Sequence, residues 1–86
     1  MEIVFTTKAQ ADIEAWKQAG NNKIQKKIQS LTVSILESPF TGLGKPEPLK
    51  HTLAGLWSRR ITREHRYVYE VLEEHVIVHS LMGHYF

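Results

Sequence analysis

Three kinds of side chain in this sequence could do chemistry together. Glu47 lies between Pro46 and Pro48. The two rings restrict the backbone on either side of it, so the carboxylate stands on a stiff peg. All four arginines fall between positions 59 and 66, as Arg59, Arg60, Arg63 and Arg66. Guanidinium forks match phosphate oxygens two at a time. His84, close to the C-terminus, is a side-chain type that exchanges protons near neutrality. Carboxylate, guanidinium and imidazole are the groups needed to cut RNA through its own 2′-hydroxyl. A base takes the 2′ proton, cationic donors hold the phosphate as charge grows, and an acid protonates the leaving 5′ oxygen. Lys50 lies near Glu47 and could steady it or hold phosphate, while Trp57 and Tyr85 offer faces for base stacking. Each group also has an ordinary reading. Glu47 could pair with Lys45 or Lys50, the arginines could pair across strands with Glu64 and Glu70, and a lone terminal histidine is usually inert. Residue by residue, only an RNA or anion binder follows.

Other chemistries find less support. The chain has 86 residues and no cysteine, so thiolate metal sites, disulfides and Cys nucleophiles are excluded. Its five histidines, at 51, 65, 75, 79 and 84, lack metal-ligand spacing, and no metal or cofactor is expected. Gly42-Leu43-Gly44 is a turn signal without the spacing of a phosphate-binding loop, and Ser58 has no nucleophile-elbow motif. Formal net charge is +2, but residues 45–66 alone hold six cations against Glu47 and Glu64, a local +4. Such a patch on a nearly neutral chain points to an anionic partner or to a solvated strand face. With 42% hydrophobic and 23% charged residues, the composition is that of an ordinary globule. The length suits one domain over residues 1–86. No apolar run approaches a membrane span, and the first residues do not resemble a signal peptide, so a cytoplasmic protein is expected.

The elements that must position these groups read as strand, two helices, three strands. Residues 3–5 are a short apolar strand. Thr7 with Gln10 three positions on predicts a capping box and a first helix, with Ala9, Ile13 and Trp16 as its apolar stripe and Gly20 past its end. Asn21 or Asn22 caps a second helix, in which Ile24, Ile28, Leu31 and Ile35 recur at helical spacing. Ser38-Pro39 stops it. Residues 40–48, with two glycines and two prolines, read as a loop. Strands are predicted over 56–62, 66–71 and 75–79, with turns at 63–65 and 73–74. The expected fold is α+β and two-layered, a helix hairpin packed on an antiparallel sheet.

Taken together, GKPEPLKH from Gly44 to His51, WSRRIT from Trp57, EHR from Glu64 to Arg66 and the closing His84-Tyr85 resemble the YoeB/Txe toxins of the RelE/ParE superfamily. The chain departs from that pattern at Gly83 and Arg63 and carries Phe86 after the terminal His-Tyr. The resemblance implies a RelE-like fold and a type II toxin that cuts mRNA on the ribosome without metal, leaving a 2′,3′-cyclic phosphate and a 5′-hydroxyl. It implies Glu47 as general base, His84 as general acid and Arg66 as transition-state stabiliser. Lys50, Arg60 and Tyr85 would be phosphate or base contacts, with His51 and Arg59 of the same basic motifs beside them. Expected partners are a YefM/Phd-like antitoxin, the ribosome with its A-site mRNA, and a second copy in a homodimer. The alternative is a non-catalytic ParE-like toxin that binds a protein such as DNA gyrase.

Overall fold

The computed structural model describes residues 1–84. Strand β1 (Glu2–Phe5) leads into helices α1 (Thr7–Gln18) and α2 (Asn22–Glu37), then β2 (Glu47–Pro48), a short 3-10 turn (His51–Leu53), β3 (Leu56–Arg60), β4 (Arg66–Val71) and β5 (His75–Ser80). The cap of α1 is Thr6, one residue before the expected Thr7. The Thr6 hydroxyl accepts the Ala9 N–H at 3.2 Å and donates to the His79 carbonyl at 3.2 Å. This tie to β5 distinguishes it from its neighbour. Gln10 reaches back to the Phe5 carbonyl instead. Asn21 caps α2 by accepting the Ile24 N–H, and Gly20 closes α1 at φ 67°. Ser38 is extended, so α2 ends before Pro39 as expected.

The sheet has strand order β1-β5-β4-β3-β2. Three of its pairings are antiparallel, but β1 runs parallel to β5. The sheet is therefore mixed, not wholly antiparallel. A parallel neighbour needs a long crossover connection, and the chain between these two strands supplies it. The predicted loop over 40–48 is corrected at its end, where Glu47 and Pro48 pair with Ser58 and Trp57 as a two-residue edge strand. Proline is tolerated there because an edge strand need not donate on both sides.

Side chains alternate between the two faces of the sheet. Ile3, Phe5, Trp57, Tyr67, Tyr69, Val76 and Val78 face the helices and join Trp16, Ile24, Ile28, Leu31 and Ile35 in one core. The Tyr67 hydroxyl lies 2.7 Å from that of Thr32, and burial pushes the Tyr67 phenol up to about 12. The other face carries Ser58, Arg60, Arg66, Val68 and Glu70; Arg60 is exposed on it, whereas Ser58, Val68 and Arg66 are buried. Among the described residues no helix is long and apolar enough to cross a membrane.

Candidate active site

The loop that delivers Glu47 is organised by Arg59. This guanidinium is fully buried and donates to five acceptors: the Tyr69 and Ser34 hydroxyls and the carbonyls of Leu43, Ser38 and Thr41, at 2.6–3.1 Å. Its five N–H groups are thus spent inside the protein. The expectation that Arg59 binds RNA phosphate is corrected: it shares the helix-facing side of β3 with Trp57 and holds residues 38–43. Gly42 and Gly44, both at positive φ, let this loop pass close to α2; a Cβ on them would meet Ser34 Oγ and Leu31 Cδ2, each at 2.7 Å. The Gly44 carbonyl then accepts the Arg60 N–H at 2.7 Å, and the chain turns through Pro46 into β2.

Strand register places three of the expected residues on the face turned away from the helices. Glu47 pairs with Ser58, two residues before Arg60, and Arg60 pairs directly with Arg66. In ordinary sheet geometry the two arginine Cα atoms are about 5 Å apart. The Cα of Glu47 stands about 8 Å from that of Arg60. Like charges directly opposite one another weaken a sheet unless an anion is shared between them. A phosphate has enough oxygens to accept from both forks.

Arg66 differs from Arg59 in how its donors are used. Its side chain is largely covered, and Nη1 donates to the carbonyls of Thr62, Arg63 and His65 in the β3–β4 turn. Nε and Nη2 make no hydrogen bond to another described residue. One end of the fork is thus fixed by the turn.

His84 comes to the same place by a different route. It is exposed and follows Gly83, whose carbonyl accepts the Arg66 N–H at 3.0 Å. The His84 backbone is therefore brought to the start of β4, where Arg60 and Arg66 pair. Lys50 and His51 are exposed but follow Glu47 past β2, at the end of the β2–β3 ladder remote from the arginines. Trp57 packs on Phe40 with ring centroids 4.8 Å apart, on the opposite face, and so does not join the site. Tyr85 lies outside the described residues. Sequence reading missed Asp12, Trp16 and His65 as ligands of the backbone leading to His84. The available signal was Asp12 itself, a carboxylate between Ala9 and Trp16 on the buried stripe of α1.

The model of YoeB-like toxins of bacterial type II toxin–antitoxin systems matches residues 5–85. The chain belongs to this YoeB family. It is 41% identical to the toxin YoeB of Escherichia coli K12 over 99% of this chain and 100% of that one. Among solved structures, a YoeB/ParE toxin from Agrobacterium tumefaciens superposes with a TM-score of 0.93 at 44% identity, covering 99% of this chain and 100% of the other. The Staphylococcus aureus YoeB dimer gives 0.90 at 41% identity, and the S. aureus YoeB–YefM complex gives 0.88 at 42%, each covering 99% of this chain and 98% of the other. The RelE-like α+β architecture expected from the sequence is that of these YoeB neighbours, with the mixed sheet described above. Glu47, Arg60, Arg66 and His84, expected from the sequence to act together, are placed by register and backbone contact around one end of the β3–β4 pair.

Proposed function

We propose that this toxin is a ribosome-associated, metal-independent mRNA endoribonuclease. One observation carries the reading: the cross-strand Arg60–Arg66 pair has Glu47 on the same face and His84 entering at its end. Glu47 takes the proton of the ribose 2′-hydroxyl, and the freed oxygen attacks the adjacent phosphorus. Arg66 and Arg60 donate to the non-bridging oxygens as charge builds on them. The bond to the 5′ oxygen breaks, and His84 supplies the proton that oxygen needs to leave. The products are a 2′,3′-cyclic phosphate and a 5′-hydroxyl. Lys50, His51 and Tyr85 hold flanking RNA.

The rest of the reading follows from that chemistry. Residues 1–86 act as one toxin domain in the cytoplasm, where ribosomes are. A YefM/Phd-like antitoxin, the class of partner seen with the S. aureus relative, neutralises the toxin, and the free toxin forms a homodimer. The test is to strip the purified toxin with EDTA, desalt it, incubate it with mRNA-programmed ribosomes in the magnesium their assembly needs, and map the ends. Cutting should persist and leave cyclic-phosphate ends. Loss of cutting by the stripped toxin that a transition metal restores, or 3′-hydroxyl products, would overturn the mechanism. Growth arrest with no mRNA cutting would favour the protein-binding alternative.

A further inference from the structure

His84 is carried by a strap, residues 81–83, whose backbone is gripped by side chains from two other elements. At Leu81, which is fully buried, the N–H donates to Asp12 Oδ2 at 2.9 Å and the carbonyl accepts from Trp16 Nε1 at 2.9 Å. Asp12 and Trp16 are one turn apart on α1, so one helix face holds both polar groups of a single residue. Lys8 supports the arrangement, reaching Asp12 Oδ2 at 2.6 Å and Ser80 Oγ at 3.0 Å. At Gly83 the pattern repeats from the sheet side. Its N–H donates to His65 Nδ1 at 2.9 Å, and its carbonyl accepts the Arg66 N–H at 3.0 Å. The His65 ring stands edge-on to Trp16, with centroids 4.8 Å apart and planes at 85°. Trp16 therefore holds the strap with its N–H and supports with its ring the imidazole that holds the next turn of it.

Leu81 already anchors this segment by burying its side chain, so the polar grips are not needed merely to keep the chain folded down. Their result is positional. Both polar backbone groups of Gly83 are fixed immediately before His84, and Gly83 sits at φ 84°, where the chain changes direction. An acid delivering a proton must come within hydrogen-bond reach of the leaving oxygen, and a displacement of about 1 Å can cost about a hundredfold in rate.

We propose that His65, backed by Trp16 and Asp12, is the positioning residue that fixes the reach of His84. This rests on the nuclease reading, in which His84 is the acid. To accept the Gly83 N–H, Nδ1 must be unprotonated, so His65 works as the neutral tautomer with its proton on Nε2. It touches neither phosphate nor leaving group; it acts through the Gly83 peptide.

Two substitutions separate this role from simple packing. His65→Asn places an amide oxygen near the position of Nδ1 and keeps an acceptor. His65→Phe keeps a ring edge against Trp16 and removes the acceptor. Single-turnover cleavage on programmed ribosomes and Gly83 amide exchange by NMR are measured for wild type, both variants and His84→Gln. His65→Phe should slow cutting about 10- to 100-fold at saturating ribosomes, with the half-saturating concentration unchanged. Its Gly83 amide should exchange faster, while β4 amides keep their protection. His65→Asn should stay close to wild type in both readouts. Wild-type cutting and exchange in His65→Phe, or equal slowing in both variants, would overturn the positioning role and leave the nuclease reading intact. A wild-type protein that does not cut, or a His84→Gln protein that cuts normally, would overturn the reading on which the role rests.

Discussion

Arg59 and Arg66 lie on adjacent strands, yet they do opposite work. Arg59 faces the helices, is fully buried and spends all its donors on hydroxyls and carbonyls. Arg66 faces the other side of the sheet, and its Nη1 donates to the turn before it. A buried cation without a carboxylate is tolerable only when every N–H is satisfied. Arg59 meets that condition and becomes the pin of the loop that leads to Glu47. Arg66 is tied through Nη1 alone among the described residues, and on the proposed reading its remaining donors serve an anion. The lesson is that strand phase decides function here: residues one register apart carry the same charge to two unrelated tasks.

Substitution should break the comparison in two directions. Arg59→Met leaves five acceptors without their donors and should cost about 3–4 kcal/mol of stability. For a domain of this size that lowers the thermal midpoint by roughly 15–25 °C. Arg66→Ala removes three bonds to the turn and should lower the midpoint by less than Arg59→Met does, while slowing cleavage about 10²- to 10³-fold, the usual loss for a transition-state donor. Thermal melts and single-turnover cleavage of both variants check the pair. Arg59→Met with a normal midpoint, or Arg66→Ala with a normal rate, would erase the division between them.

A smaller effect sharpens the same contrast on the core side. Burial raises the Tyr67 phenol to about 12 from an ordinary value of 10.0. The unfolded chain loses this proton first as pH rises, so between those values the folded state binds more protons and stability falls with pH. The contribution is fully present below pH 10 and declines by about 1.4 kcal/mol per pH unit towards 12. Urea midpoints measured across that window should fall less steeply for Tyr67→Phe than for wild type. Identical slopes would mean that Tyr67 does not carry the decline.

Much of this was legible before any coordinates. The isoleucine and leucine spacing of α2, its stop at Ser38-Pro39 and the strand-forming runs are local signals, and the elements follow them. The parallel pairing of β1 with β5 was not legible, because neither the length nor the composition of a four-residue strand says which neighbour it takes. The β2 pairing was hidden because two residues, one a proline, have no periodicity. The role of Arg59 was legible in part: it alternates with Trp57 and Ile61, two large apolar residues, which sets the phase of β3. Charge drew attention to the arginines as one cluster, whereas alternation divides them. Asp12 on an apolar stripe was a similar signal, but its partner is the Leu81 backbone, 69 positions away, and backbone partners leave no mark in sequence.

The most direct measurement places a single 2′-deoxy nucleotide at the cleavage position of an mRNA on programmed ribosomes. Phosphate contacts through Arg60 and Arg66 do not use the 2′-hydroxyl, so binding should be undiminished. The substituted site should nonetheless stay uncut, because Glu47 has no proton to take and no nucleophile forms. Cutting of that site at the rate of the unmodified RNA would contradict 2′-oxygen attack and the assignment of Glu47 with it.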